Sequence, residues 1–314
     1  MKIAELLAGG GPALAEGSVV ERLRRDPRVR LDPLLAHAAF PGEPGAAAIL
    51  GGIYREYLEI ARAAGLPMLC FTATWRANPE RARRAGLDAD ALNARAAGFL
   101  RAIIRDYPAA AAGGLMGCRG DAYRPEEALT RGEAARFHAA QAAALAGAGV
   151  DFLLAATMPA AAEALGMADA MGRTGVPYIV SFVIGRDGGL LDGTPLDEAI
   201  RMIDADAAPP PLAYFVNCAH PSALRRGHPR LAAFQGNTSR RPPHELEGLP
   251  ELDGEPLAGF AADMLALGRR CGIRILGGCC GTDARHIRAI AAGLQATPAA
   301  FASGVNVSES PAGS

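Results

Sequence analysis

Short apolar runs and longer helical stretches take turns along almost the whole chain, and this alternation limits the folds open to it. Runs at 67–72, 110–116, 151–157, 177–183, 212–216, 231–234 and 273–276 are continuously apolar, as strands are when both faces of a sheet are covered. Between them, residues 46–64 carry Leu50, Ile53, Tyr57 and Ile60 at helical spacing, and residues 89–105 carry Leu92, Ala96, Leu100 and Ile103. Residues 131–148, 160–171, 195–203, 257–270 and 283–293 repeat the pattern, the last with Thr282 as a candidate cap. The first strand has two possible registers. One is residues 3–8, followed by Gly9-Gly10-Gly11. The other is residues 13–15, ending in Glu16-Gly17-Ser18, with a helix at 19–25 and Ser18 as its N-cap. The series amounts to about eight strand–helix units, the rhythm of a barrel of ~250 or more residues. A doubly wound open sheet shares the alternation, so periodicity leaves closure open.

Composition removes several classes of function. The formal net charge is −1, which gives no reason to expect a nucleic-acid or other polyanionic partner. No G-x-G-x-x-G or Walker-type loop follows a strand, which argues against nucleotide binding. No apolar run reaches the ~18 residues of a membrane span. Met1-Lys2-Ile3-Ala4-Glu5 lacks a charged region ahead of an apolar core, so the expected compartment is a reducing cytoplasm. Residues 296–314 have little apolar content and are expected to be a flexible tail.

The cysteines are Cys70, Cys118, Cys218, Cys271, Cys279 and Cys280. Cys279 and Cys280 stand in Gly277-Gly278-Cys279-Cys280-Gly281-Thr282, just behind an apolar run. Neighbouring cysteines, with Cα atoms about 3.8 Å apart, cannot easily bridge to each other. The apolar run at 212–216 likewise ends in Asn217-Cys218. Three thiolates brought to one point suit a soft, tetrahedral metal such as zinc, with the fourth position open to an exogenous ligand. The plain alternative is three core cysteines, but an adjacent pair between glycines fills a core poorly. Cys70 and Cys271 read as packing. Cys118, in a strand-end loop, is left outside the metal shell.

Asn217-Cys218 followed much later by Gly-Gly-Cys-Cys-Gly-Thr resembles the zinc-dependent homocysteine S-methyltransferase family, from about Leu14 to about Leu294. The resemblance implies an α/β fold, a single-domain (β/α)8 TIM barrel over residues 1–295, with chemistry at the C-terminal ends of the strands. It implies Zn2+ held by Cys218, Cys279 and Cys280, which would be the catalytic residues, and a homocysteine thiol bound to that zinc. A methyl group would pass to the thiol from a sulfonium or ammonium donor, giving methionine. The partners would be a small-molecule thiol acceptor and a methyl donor, with no nucleic acid and no membrane. Glu16, before Gly17, matches an acidic residue of the family, usually Asp, and is expected to accept the ammonium of an amino-acid thiol. Asn217 and Thr157 are further candidate substrate contacts. Arg119, Asp121 and Tyr123 share the expected rim, where loop capping or ion pairing is an equal alternative.

One departure bears on the acceptor. The family commonly has a Glu just before the Thr at the end of the fourth strand; here that position is Ala156. Glu163, the nearest other carboxylate, is expected to point away from the rim. Methyl transfer to a thiol is therefore better supported than homocysteine as the acceptor. The alternatives are methylation of another thiol or selenol, and a zinc-holding barrel acting as a binding or sensor protein. His138, His228 and His244 have no partner readable in the sequence. His220 lies two residues past Cys218, where a plain loop role is favoured.

Overall fold

The computed structural model describes residues 1–241, 245 and 253–301. His244 and residues 302–314, most of the expected tail, lie outside the described residues. In chain order the elements are α1 (Ile3–Ala8), β1 (Ala13–Ala15), α2 (Val20–Arg24), α3 (Pro44–Ala64), β2 (Met68–Phe71), α4 (Pro79–Arg84), α5 (Ala89–Ile104), β3 (Ala110–Gly117), α6 (Arg131–Gly147), β4 (Phe152–Met158), α7 (Ala161–Gly172), β5 (Tyr178–Phe182), α8 (Leu196–Asp206), β6 (Ala213–Ala219), β7 (Leu231–Gly236), α9 (Leu257–Cys271), β8 (Ile275–Gly278) and α10 (Ala284–Ala296). The eight strands form one closed barrel in sequence order, every neighbouring pair parallel. The second register of β1 is the one found; residues 3–8 form a helix instead.

Each strand splits its side chains between two cores, because successive residues point to opposite faces. Ala13, Ala15, Leu69, Phe71, Phe152, Leu154 and Phe215 fill the barrel interior, while Leu14, Met68, Cys70, Leu153, Val216 and Leu276 pack outward against the helices. Gly113 on β3 leaves room inside: a Cβ there would meet the rings of Phe71 and Phe152, which pack edge to face with centroids 6.2 Å apart. Ile3, Leu6 and Leu7 of α1 belong to the interior core, so this helix closes the N-terminal end. Fully buried Arg274, just before β8, clamps it by donating to the carbonyls of Leu6 (2.9 Å), Gly11 (3.0 Å) and Leu7.

Three local readings change. Among the described residues the β6–β7 connection carries only a 3-10 turn, Pro221–Ala223, so one of the eight units lacks its α-helix. Ser18 is not the N-cap of α2, which is Val19, although its hydroxyl does accept the Glu21 N–H at 3.2 Å. Asp283, not Thr282, caps α10, in a capping box with His286. Pro298–Phe301, near the start of the expected tail, forms a 3-10 turn and buries Phe301.

Replacing Arg274 strands the carbonyls of α1 in a dry environment. Arg274→Leu should lower the unfolding free energy by about 3 kcal/mol or more, read from urea denaturation. A change below about 1 kcal/mol would mean that water or backbone relaxation satisfies those carbonyls.

Candidate metal centre

The mouth of the barrel is built from strand ends that the ring brings together. At the end of β6, Cys218 has φ 56°, and at the end of β4, Thr157 has φ 56°. The left-handed region is unfavourable for such side chains and costs of order 1–3 kcal/mol each. The Asn217 side chain holds one of these turns directly. Its Oδ1 accepts from the Thr157 N–H (3.0 Å) and the Ser181 hydroxyl (2.6 Å), and its Nδ2 donates to Thr157 Oγ1 (2.6 Å). One amide thus ties β4, β5 and β6 and sets the backbone next to Cys218. These bonds occupy much of what Asn217 could offer a substrate. The Thr157 hydroxyl keeps its own proton for another partner.

On the other side, β7 and the segment after β1 hold the cysteine pair. Cys279 N donates to Gly236 O (2.8 Å), and Cys280 N donates to Asn237 Oδ1 (3.1 Å). Thr282 donates to Cys279 O (2.7 Å) and accepts from Ser18 N (3.0 Å). Gly278 has no room for a Cβ against the Thr282 side chain, and Gly281 sits at φ 82°. The sulfurs of Cys218, Cys279 and Cys280 all lie within 4.8 Å of one another, a group that could hold a metal ion. The sulfurs of Cys218 and Cys279 are in contact, with Cα atoms 5.5 Å apart, and Cys280 carries a free thiol beside them. Burial pushes the Cys280 thiol up to about 11.

The other candidates have definite partners. The Glu16 carboxylate accepts the Phe71 N–H at 2.9 Å through Oε2; Oε1 makes no bond to a described protein group. Burial raises its pKa well above the usual carboxylate range, opposed by that N–H. Glu163 is fully buried and committed to His138 Nε2 (3.0 Å), Arg119 N (2.8 Å) and Leu129 N (3.2 Å), so it does not face the rim. Ala156 belongs to the apolar interior, as does partly exposed Leu115. Arg119 pairs with Glu80 at 2.9 Å, and Asp121 accepts the Tyr123 N–H at 2.9 Å. Desolvation, then the charges of Cys280, Asp121 and Cys118, raise the pKa of half-buried Tyr123. His228 Nδ1 accepts from Arg230 N (3.1 Å).

His220, Glu255 and Asp263 form a second group of potential ligands. Arg240 already pairs with both carboxylates. Since His220 Nδ1 accepts the Ser222 N–H (3.1 Å), Nε2 carries the ring proton and faces Glu255 at 3.3 Å without a free lone pair. The loop role expected for His220 is the one found.

In the sequence Asn237 carries no expected role and Thr282 is a candidate helix cap; both fasten the cysteine turn. Only the polar position directly behind the apolar β7 run pointed to Asn237.

These features define a class: a closed (β/α)8 barrel with a thiol cluster, suited to a soft metal, at the C-terminal ends of its strands. The model of the family described as homocysteine S-methyltransferase matches residues 14–294, and the chain belongs to that family. Homocysteine S-methyltransferase 4 of Zea mays is 27% identical over 175 residues, 52% of this chain and 50% of the relative. Betaine--homocysteine S-methyltransferase 1 of Bos taurus is 28% identical over 163 residues, 45% of this chain and 39% of the relative. The matches thus span half or less of the length of these curated relatives. The homocysteine methyltransferase MmuM of Escherichia coli, solved in metallated and oxidized forms, shares the fold. Both forms give a TM-score of 0.69 at 22% identity over 90% of this chain and, respectively, 96% and 95% of that one. Among the described residues no helix is long and apolar enough to cross a membrane.

Cys118 is 7% exposed, and burial, reinforced by the charges of Glu163 and Asp121, pushes its thiol up to about 12. A raised pKa withholds the thiolate until the pH approaches that value, so at pH 8 only about one part in ten thousand is reactive. Iodoacetamide at pH 8 should leave Cys118 unmodified in the folded protein, by peptide mass spectrometry, and modify it in urea. Rapid labelling of the native protein would mean that the strand-end loop opens.

Proposed function

We propose that this chain is a zinc-dependent S-methyltransferase that moves a methyl group from a sulfonium or ammonium donor to a thiol. The observation that carries the reading is the convergence of Cys218, Cys279 and Cys280 within 4.8 Å at the barrel mouth. Three thiolates fit zinc, and they leave one tetrahedral position for a substrate. When bound, zinc would hold the acceptor sulfur as a thiolate at neutral pH. The chain's own residues do the rest. Asn217 and Asn237 fix the backbone on either side of the cluster, and the apolar lining at Leu115 and Ala156 limits water around the reacting atoms. The carboxylate proposed to meet an acceptor ammonium is Glu16, through the oxygen that Phe71 leaves unused. Thr157, with its free hydroxyl proton, is proposed as a substrate contact, and Asn217 as the residue that positions it. A cytoplasmic setting, which keeps the thiols reduced, suits this chemistry.

Changing Cys218, Cys279 or Cys280 to Ser should remove most of the zinc and the activity and leave the barrel folded. Elemental analysis and circular dichroism check both halves. A Cys279→Ser protein with one full equivalent of zinc would overturn the site.

Homocysteine is the acceptor that the family implies, and Ala156 argues that its amino group is held weakly. A charged hydrogen bond contributes about 1.5–3 kcal/mol, so its absence weakens binding roughly ten- to a hundred-fold. Wild type should discriminate poorly between homocysteine and a thiol lacking the amino group, and Ala156→Glu should improve homocysteine selectively, by kcat/KM. A preference of about a hundred-fold for homocysteine in wild type would mean that amino-acid recognition is intact and would overturn this reading of Ala156.

A further inference from the structure

Four arginines gather at one side of the mouth. Arg76 follows β2, Arg81 and Arg84 lie on α4, and Arg119 follows β3; with Glu80, Gly120, Asp121 and Glu127 they line a cleft of about 470 Å³. The carboxylates there are already committed. Glu80 pairs with Arg119, Asp121 takes the Tyr123 N–H, and Glu127 takes the Asp121 N–H (3.0 Å) and Arg124 (3.5 Å). Among the described residues Arg81 Nη2 donates only to the carbonyls of Arg119 and Gly120, each at 3.3 Å. Arg76 lies over the Trp75 ring at 4.8 Å, and neither it nor Arg84 makes a side-chain ion pair or hydrogen bond among the described residues. Burial and the charges of Arg76 and Arg84 push the pKa of Arg81 down. The four guanidinium groups outnumber the three carboxylates of the cleft, and only Arg119 is ion-paired within it among the described residues, so a net positive charge is left that an anion relieves.

We propose that this cleft binds the anionic group, carboxylate or phosphate, of the methyl donor. The proposal rests on the methyl-transfer reading above. In the ring order, β2 and β3 stand across the mouth from β6 and β7, so the cleft faces the rim that carries Cys218. Methyl transfer is in line. The acceptor sulfur forms its bond to carbon on one side of the methyl group. The donor's bond to that carbon breaks on the other side, and its electron pair leaves with the sulfur or nitrogen, which becomes neutral. The leaving group therefore lies away from the thiols, toward β2 and β3. The loop after β3 borders the cleft, where Arg81 Nη2 donates to the carbonyls of Arg119 and Gly120. An acid group on the departing molecule would anchor it in the cleft and aim its methyl carbon at the acceptor.

Calorimetric titration of the full chain with inorganic phosphate and with acetate at low ionic strength tests the cleft without relying on activity. Wild type should bind at least one of the two, and the tighter one identifies the acid group. The double variant Arg76→Gln/Arg84→Gln should bind it at least tenfold more weakly, and Arg76→Lys/Arg84→Lys should recover most of the loss. In the methyl-transfer assay the same anion should raise the apparent KM for the donor and leave that for the thiol unchanged. Absence of binding by wild type, equal binding by the glutamine variant, or competition with the thiol would overturn the proposal. If anion binding depends on the arginines but no donor supports transfer, the methyltransferase reading fails and the donor assignment with it. If transfer proceeds but neither anion binds, only the cleft is wrong.

Discussion

The pairing of β1 with β8, Ala13 with Ile275 and Leu14 with Leu276, turns an α/β sheet into a ring, and the thiol cluster hangs on that closure. In an open sheet β1 and β8 would be free edges. Gly278 N would lose Glu16 O, and Ser18 N would lose the Thr282 hydroxyl. The turn at Cys279-Cys280 would then keep its own Thr282 bonds and those from the β7 side, through Gly236, Asn237 and Thr238. With the ring closed the turn is held from both flanks, so its two sulfurs have a defined direction toward Cys218.

Much of this architecture is legible in the residues. Strands covered on both faces leave continuous apolar runs, and helices leave a 3.6-residue repeat, so most elements announce themselves. Closure does not, because barrel and open sheet bury the same strand types; the cysteine motif decided it. Three elements escaped for separate reasons. Ile3–Ala8 is short and apolar enough to pass for a strand. Pro79–Arg84 is short and charged, with one buried residue, Ala82, to betray it. The missing helix between β6 and β7 left no mark beyond a Pro-rich loop. The same division runs through the site. The cysteines could be picked out by their adjacency and their glycines. The tasks of Asn217, Asn237 and Thr282 could not, since each depends on which strand stands next to which.

The mouth divides its polarity by side. Sulfur stands on the β6 and β8 ends, the apolar side chains of Leu115 and Ala156 line the β3 and β4 ends, and guanidinium groups stand beyond β2 and β3. Dry surroundings strengthen any charge placed among them. Under the proposed transfer, a cationic donor crossing such a mouth would meet thiolate ahead and arginine behind, which would favour molecules that are cationic at the methyl end and anionic at the other.

The β6–β7 connection, with its single 3-10 turn, has a thermodynamic consequence for the ring. Cys218 and Cys279 are 61 residues apart, and the stretch between them includes β7 and α9. An ion shared by the two ends would act as a cross-link, removing from the unfolded chain the entropy of a long loop, of order 4 kcal/mol by the loop-closure estimate. Ligand occupancy and the local opening of β7 then become one equilibrium. Amide exchange along 231–236, rather than global melting, is where the state of the thiols would register first.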